Sequence, residues 1–420
     1  MTWVFLLAWL VPLIELFLLV TGLLWHQTRF ESAPWKFSRL LIQITTTGRE
    51  EKRVNEIIAE IRSYRLSMPY QIWVVNEPGR SDRYPRADRV LTVPEFFTAR
   101  SRYKARALEY SRRERRRLGL NGPDTKILFV DDDTSITAAY IERAFAADYD
   151  ICQGITAPRV HYGAFPFQHF WLSHFDDLRT KGCLIYCAFF QGFVGKPLHV
   201  HGEGLCVTGA TEDSVTWNYP VIASEDLTFG QNAAYMGFKW GFFYEYVLLT
   251  SPWCWKDFKK QRKRWLWGNI RAISCRDVMP LAPAIMLAAK YISGCLLTVL
   301  SIIALILRML HLYTPPERVA PVFLLSLATW LAQYGVSGWI NSADVHFDGR
   351  HAASHRGRLR RRLWQASAAV LMGPLTSFTS LIVHLVALAE GDPKSFEVIP
   401  KTAPSAANPI TGTTVPEEAK

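Results

Sequence analysis

The sequence has 420 residues, a formal net charge of +11 and a mean hydropathy of +0.04. Its hydrophobic content of 49% is too high for a typical soluble enzyme, and its charged content of 20% is too high for a pure membrane bundle. These values predict a chain that joins membrane helices to a polar domain. The excess of cations does not indicate a nucleic-acid partner, because the arginines concentrate beside apolar runs, where anionic lipid headgroups explain them.

Four apolar runs are each long enough to cross a hydrocarbon core of roughly 30 Å. They cover residues 4–24, 284–307, 319–340 and 364–389. No Lys or Arg precedes the first run and no small-residue cleavage site follows it, so we expect an uncleaved anchor over residues 1–28. The other three runs predict a three-helix bundle over residues 280–390. Residues 391–420 lack periodicity and are typical of a disordered tail.

Flanking charges predict how the chain is oriented. Arg29, Lys36 and Arg39 follow the first run and no cation precedes it, so the positive-inside rule places the polar middle in the cytoplasm. Four spans also put the six arginines of residues 349–363 on that side. We therefore expect an integral membrane protein of the plasma membrane. A second arginine cluster, residues 112–117, fits either a solvated helix end or a contact with anionic lipid.

Seven cysteines make an odd count without a CxxC pair. Cys183 and Cys187 have only the spacing of one helical turn, so the pattern predicts neither a disulfide framework nor a zinc ribbon. Reduced thiols fit a cytoplasmic domain. In "LHVHGEG", His199, His201 and Glu203 would share one face of an extended strand and offer zinc ligands, but Gly202 and Gly204 fit close approach of a sugar better.

The polar middle, residues 35–275, predicts one α/β domain with a parallel sheet. "RLLIQITTTG" and "YQIWVVNEPG" are apolar runs on either side of a helical pattern, and strand-then-helix order repeats up to "KILFVDDDT". Open α/β sheets bind ligands beyond the carboxyl ends of their strands. The three carboxylates after this last strand therefore lie where a ligand is expected.

Asp131 and Asp133 can face one side of the extended segment that follows this strand. Clustered carboxylates repel one another, and a divalent cation such as Mg²⁺ or Mn²⁺ removes that cost and accepts diphosphate oxygens as further ligands. The alternative is a solvated loop in which Asp133 or Thr134 caps the helix through "SITAAYIERAF". Both interpretations stay open on this motif alone.

Two further segments carry polar residues suited to chemistry. In "ASEDLTFG", Ser224 is a candidate N-cap and the following acids fit a first helical turn, but Asp226 could also accept a proton from an attacking hydroxyl. The run near residues 253–270 predicts an amphipathic helix on the bilayer surface. Its four tryptophans, Trp253, Trp255, Trp265 and Trp267, would lie at headgroup depth. The same helix could turn Arg264 to a diphosphate and Trp265 to an acceptor.

The ordered set "DDD", "SED" and "QRKRW" before an apolar run resembles the membrane-bound family 2 glycosyltransferases, whose pattern is D-x-D, an E-D pair and Q-x-x-R-W. The stretches "YKARALEY", "KPLHVHGEG" and "SPWCWKDFKKQRKRWLWG" are similar to those of the Egghead family of β-1,4-mannosyltransferases. The resemblance runs from about residue 42 to residue 268 and covers the whole polar domain.

This resemblance implies a GT-A fold, which is Rossmann-like with a mostly parallel sheet. It implies that Asp131 and Asp133 hold a metal and the nucleotide diphosphate, and that Asp226, beside Glu225, is the catalytic base. The other positions that match the family's donor site are Glu77, Lys104, Arg106, Gln261, Arg264 and Trp265. Glu77 stands where the family usually has a nucleotide-contacting aspartate.

The implied reaction is inverting transfer of a sugar, best matched by mannose from GDP-mannose, to a lipid-linked or membrane-associated acceptor. One alternative is a processive polysaccharide synthase that uses a UDP-sugar, although such proteins usually bring more than the three spans that follow the polar domain here. Another is a non-catalytic membrane scaffold that binds lipid, in which the carboxylates act only as helix caps.

Overall fold

The computed structural model describes residues 2–77, 84–159, 168–314, 316–343 and 355–393. Most of the predicted disordered tail, residues 394–420, lies outside the described residues. Residues 349–354 of the arginine-rich segment also lie outside them, and the described part of that segment is helical from His355 onwards.

Eleven α-helices and eight strands are found among the described residues. The helices are α1 (Thr2–Arg29), α2 (Glu51–Ser63), α3 (Tyr103–Arg117), α4 (Ala138–Ala146), α5 (Gln168–Gly182), α6 (Gly209–Val215), α7 (Glu225–Tyr235), α8 (Trp255–Ser274), α9 (Leu281–Met309), α10 (Ala320–Ile340) and α11 (His355–Ala389). The strands are β1 (Arg39–Thr46), β2 (Tyr70–Asn76), β3 (Arg89–Thr92), β4 (Thr125–Asp131), β5 (Thr134–Ile136), β6 (Ile151–Arg159), β7 (Cys206–Thr208) and β8 (Trp240–Thr250). A π-helical segment, Cys183–Phe193, continues directly from α5.

The strands form one sheet in the order β3-β2-β1-β4-β7-β6-β8-β5. The β3-β2-β1-β4 half is parallel as the sequence predicts, and β6 pairs parallel with β8. The pairs β4-β7, β7-β6 and β5-β8 are antiparallel, so the sheet is mixed, with four parallel pairings and three antiparallel ones. The reason is that β7 enters from the edge where β4 ends: Gly204 N donates to Phe129 O at 2.8 Å just before β7 begins.

The sheet is buried on both faces. Leu40, Ile42 and Ile44 of β1 pack in a core on the side covered by α2, whereas the intervening Leu41 packs on the side covered by α3. Successive side chains of a strand point to opposite faces, so a continuous apolar run is what a two-sided core requires. The polar site begins where these buried strands end.

Among the described residues, four helices are long and apolar enough to cross a membrane, judged by length and composition: α1, α9, α10 together with the turn before it, and α11. They match the four predicted runs. The single charge of the first run, Glu15, is buried and paired, since Lys181 Nζ lies 3.1 Å from its Oε2 and Tyr186 Oη donates to its Oε1 at 2.6 Å. Sequence analysis did not predict the segment that supplies both partners, α5 and its π-helical continuation.

The arginine cluster of residues 112–117 is not simply a solvated helix end. Arg112 and Arg115 are buried, and they form ion pairs with Glu109, Asp213 and Glu212. Two of these carboxylates belong to α6, so the cluster attaches α3 to α6. The remaining arginines of the cluster, Arg113, Arg116 and Arg117, are exposed.

Candidate active site

A cavity of about 390 Å³ lies at the carboxyl end of β4. Eight of the predicted site residues contribute to its wall: Lys104, Asp131, Asp133, Glu225, Asp226, Gln261, Arg264 and Trp265. They come from α3, the end of β4 and the residues just after it, α7 and α8. Lys104 and Trp265, the most distant pair, are 265 − 104 = 161 positions apart in sequence. The motifs that sequence analysis singled out are therefore adjacent in space.

The side chains of the three consecutive aspartates at the end of β4 point in two directions. Asp131 and Asp133 line the cavity, whereas Asp132 accepts a hydrogen bond from Thr46 Oγ1 at 2.9 Å. The predicted alternation of side chains is found. The predicted helix cap is wrong: Thr137, and neither Asp133 nor Thr134, caps α4 by accepting from Tyr140 N at 3.1 Å, and Thr134 begins β5. Capping therefore does not account for Asp133 at this position.

Lys104, at the start of α3, lies among the carboxylates. Its Nζ is 2.5 Å from Asp131 Oδ1 and 3.5 Å from Glu225 Oε1. Burial lowers the pKa of Lys104, but Asp131, Glu225 and Asp226 raise it by more, so the ammonium stays protonated. A positive charge at this point offsets repulsion among the acids.

Asp226 lies in the first turn of α7 and lines the cavity. Burial, with repulsion from Glu225 as the next contribution, raises the pKa of Asp226 to about 7. One carboxylate oxygen accepts from Leu227 N at 2.8 Å. A carboxylate with this pKa is suited to accept a proton near neutral pH. The backbone leaves room for it, since a Cβ at Gly202 would lie 3.4 Å from Asp226 Oδ2 and 2.9 Å from Lys104 Nζ.

Ser224 stands at the N-cap position of α7, but its side chain does not cap the helix. Its backbone is left-handed, with φ of 61°, and its Oγ donates to Asn269 Oδ1 of α8 at 2.8 Å. This bond ties the helix that carries Asp226 to the helix that carries Arg264. A strained backbone at such a junction is typical of a functional site.

Helix α8 presents Gln261, Arg264 and Trp265 to the cavity. Arg179 and Arg262 lie over the Trp265 ring at 5.0 and 4.7 Å from its centroid. The prediction that four tryptophans lie at headgroup depth does not fit two of them. Trp253 is buried, and Trp267 Nε1 donates to Ala387 O of α11 at 3.0 Å, so both rings contact protein.

Several cavity residues were not predicted. Arg179 of α5 and Glu203 form an ion pair in the wall, and Arg262 pairs with Asp176 at 2.6 Å. Sequence analysis also missed Thr250, Asn269, Lys290, Tyr291 and His384, and it considered His199, His201 and Glu203 only as zinc ligands or as part of a segment that a sugar approaches. Lys290 and Tyr291 belong to the candidate membrane helix α9, and His384 belongs to α11. No Asp, Glu, Lys, Arg or His other than Lys290 and His384 occurs in their apolar runs, which is a signal that sequence analysis could have used.

Glu77 and Arg106 are not among the residues that line the cavity. Arg106 donates to the carbonyls of Phe97 at 3.0 Å and Pro94 at 2.8 Å, and its Nη1 lies 3.8 Å from Glu77 Oε2. Burial raises the pKa of Glu77, and Arg106 opposes that effect. Their predicted role in nucleotide recognition therefore stays a prediction.

The segment around His199 is not the extended strand that sequence analysis considered. Residues 199–205 form no strand: Glu203 and Gly204 lie in a turn within irregular chain, and Glu203 pairs with Arg179. Gly204 has φ of 76°, and a Cβ there would meet the Tyr140 hydroxyl. The fold therefore requires glycine at position 204.

The chain matches the family model described as glycosyl transferase family group 2 over residues 126–334. This match supports a family 2 glycosyltransferase. The matched region contains the aspartates after β4, the acids of α7 and the cavity face of α8. The mixed sheet flanked by helices fits the GT-A α/β fold of such enzymes. No curated protein matches the sequence.

Among solved structures, the mannosyltransferase PcManGT from Pyrobaculum calidifontis, in complex with GDP-Man and Mn2+, is similar with a TM-score of 0.51 and 14% identity. The alignment covers 92% of this chain and 97% of that chain, and it shows a shared fold. TarS from S. aureus aligns with a TM-score of 0.32 and 12% identity, over 86% of this chain and 57% of that chain.

The pKa of Asp226 predicts how an activity that uses this carboxylate as its base depends on pH. If Asp226 is the base, kcat/KM falls as pH drops below about 7, because protonation removes the acceptor. The limiting slope is about tenfold per pH unit. A pH profile of kcat/KM measured with saturating metal checks this, and a plateau that extends down to roughly pH 5 would contradict it.

Proposed function

We propose that the protein is an inverting glycosyltransferase that moves a mannosyl group from GDP-mannose to a lipid-linked or membrane-associated acceptor. The observation that carries this proposal is the cavity itself. The same cavity is lined by the aspartates at the end of β4, by Asp226 with its pKa near neutrality and by Arg264. Sugar transfer from a nucleotide donor uses three elements: ligands for the metal that binds the diphosphate, a base for the acceptor hydroxyl and a cation that pairs with the diphosphate.

The residues present fit a divalent metal at Asp131 and Asp133. Both side chains face the cavity with carboxylate oxygens, the ligand type that Mg²⁺ and Mn²⁺ prefer. Burial raises the pKa of Asp131, Lys104 opposes that effect, and Glu203 and Asp133 add to it, so a further cation is favoured among these carboxylates. When bound, the metal would neutralise charge that develops on the leaving diphosphate.

The protein's own residues would then divide the remaining work. Arg264 pairs with a diphosphate oxygen, and Trp265 forms the wall against which the acceptor lies. Asp226 accepts the acceptor's hydroxyl proton as that oxygen bonds to the anomeric carbon and the bond to the diphosphate breaks. One displacement of an α-linked sugar gives a β-glycoside. Holding both substrates in line supplies much of the rate enhancement.

The acceptor is proposed to approach from the membrane side. Lys290 and Tyr291 of α9 and His384 of α11 line the same cavity as Asp226, so the site continues between two candidate membrane helices. Polar residues in such helices mark substrate paths more often than structural positions. A water-soluble acceptor would not need this continuity.

Two other functions make different predictions. A processive polysaccharide synthase would retain its product and extend it, whereas single transfer releases one product. A lipid-binding scaffold would neither bind nor hydrolyse a sugar nucleotide, and the Asp133 and Asp226 positions described above are not those of helix caps.

The proposal is tested with purified protein, Mn²⁺, total membrane lipid and a panel of radiolabelled nucleotide sugars. We expect label from GDP-mannose to enter the lipid extract, and calorimetry to detect binding of GDP. Label transferred only from UDP-sugars, with UDP bound and GDP not, would keep the reaction class and overturn the donor. No transfer and no hydrolysis from any donor would overturn the function.

Replacing Arg264 should weaken donor binding as well as turnover. Arg264→Ala removes a charge-assisted contact to the diphosphate, so Kd for the donor should rise by about 30-fold, or about 2 kcal/mol. Lys263→Ala is the matched control, since that neighbouring cation pairs with Glu390 at 2.9 Å and does not line the cavity. Equal donor affinities of the two variants would contradict the role of Arg264.

A further inference from the structure

A cluster of metal-binding side chains lies beside the cavity, apart from the aspartates. Cys183 and Cys187 project from the π-helical segment, and His201 projects from the turn that follows it. The three ligand atoms lie within 4.8 Å of one another and all three residues are buried. The sequence spacing of the cysteines did not predict this, because the third ligand comes from a different segment.

The distances between these atoms match those in a tetrahedral zinc centre. Zinc binds sulfur at about 2.3 Å and nitrogen at about 2.0 Å, so a tetrahedral angle separates S from N by about 3.6 Å. His201 Nε2 lies 3.3 Å from Cys183 Sγ and 3.9 Å from Cys187 Sγ. Small side-chain shifts would bring both pairs to the ideal separation.

The surroundings fix the ligands in this arrangement. Gln153 bonds the backbone of His201 twice: its Nε2 donates to His201 O at 2.7 Å, and His201 N donates to its Oε1 at 3.2 Å. Gln191, which belongs to the segment that bears the cysteines, donates to Gln153 Oε1 at 3.2 Å and to His199 O at 2.7 Å. Two buried glutamines therefore join the two ligand-bearing segments. Such outer contacts orient ligands in metal sites.

Two neighbouring groups bring positive charge close to the sulfurs. Thr156 N donates to Cys183 Sγ at 3.5 Å, and the ammonium of Lys290 interacts electrostatically with both sulfurs. Cys187 and His201 line the cavity, which gives a cation a route of entry. Among the described side chains, His199 has a buried Nδ1 without a hydrogen-bond partner, and its ring is centred 4.6 Å from that of His201.

We infer that Cys183, Cys187 and His201 bind a thiophilic cation of the Zn²⁺ class, distinct from the hard cation at Asp131 and Asp133. Binding replaces two S–H bonds by two S–Zn bonds and releases two protons to solvent. Soft thiolate and imidazole ligands select zinc over Mg²⁺ and Mn²⁺. The cation fixes the segment that carries His201 and Glu203, both of which line the cavity. It takes no part in sugar transfer.

The test is the metal content of the full-length protein, purified in detergent under reducing conditions and incubated with Zn²⁺ before gel filtration. We expect about one zinc per chain, and a loss of most of it in Cys183→Ser and in Cys187→Ser. The matched control is Cys206→Ser. Cys206 is equally buried and is paired across strands with Cys152, but neither is in the cluster with His201, so this variant should keep its zinc.

Two further measurements separate this site from the aspartates and from misfolding. Asp133→Asn should leave the zinc content unchanged. Cobalt added to the wild-type protein should give the near-ultraviolet charge-transfer absorption of a thiolate-cobalt bond, which needs no variant. Wild-type protein with no retained zinc and no such absorption would overturn the inference, as would equal zinc content in wild type and Cys183→Ser. Neither result would bear on sugar transfer.

Discussion

Asp226→Asn is expected to lower kcat by roughly 10²- to 10⁴-fold while donor affinity changes little. Asparagine keeps the shape of the side chain and can still accept the bond from Leu227 N, but it cannot take up the hydroxyl proton. The measurement is kcat together with the donor Kd for the variant and the wild type. Far-UV circular dichroism confirms that the variant is folded.

A purely structural role for Asp226 predicts the opposite outcome. Asn supports the first turn of a helix about as well as Asp does, so a capping residue would leave the variant nearly fully active. The two expectations differ by orders of magnitude. An active Asp226→Asn protein would remove the base from the proposed mechanism.

Removing the divalent metal is expected to abolish transfer. In excess EDTA the carboxylates of Asp131 and Asp133 would face a diphosphate with only side-chain cations such as Lys104 and Arg264 to offset the repulsion. Activity should return with Mn²⁺ or Mg²⁺. The assay is initial rate against free metal concentration, and full activity in excess EDTA would contradict metal dependence.

A pair of variants separates metal binding from a general effect of charge. Asp133→Asn removes a carboxylate that lines the cavity and should raise the metal concentration needed for half-maximal activity by at least tenfold. Asp132→Asn removes the neighbouring carboxylate, which bonds Thr46 outside the cavity and should leave that concentration unchanged. An equal response of the two variants would argue against Asp133 as a ligand.

Part of the fold and of the site could be predicted because its signals are local. An apolar strand followed by alternating aspartates fixes Asp131 and Asp133 on one side of an extended chain. The apolar runs likewise fix the four candidate membrane helices by length alone. Both patterns are imposed by neighbours in sequence, and tertiary contacts did not alter them.

Features that depend on distant segments could not be predicted in this way. The antiparallel β7 depends on where the turn after the π-helical segment returns to the sheet. Ser224 has the residue type of an N-cap, yet its hydroxyl is taken by Asn269 of another helix. Arg112 and Arg115 are a charge run in sequence and a buried ion-pair network in space. Two of their partners, Asp213 and Glu212, lie about 100 residues away in sequence.

The anomeric configuration of the product tests the central claim most directly. Purified protein is supplied with Mn²⁺, carbon-13-labelled donor and lipid acceptor, and the carbon–hydrogen coupling at the labelled anomeric centre of the extracted product is measured by NMR. A single displacement assisted by Asp226 predicts a β-linked sugar on the lipid. An α-linked product, or free sugar with none attached to lipid, would contradict inverting transfer at this site.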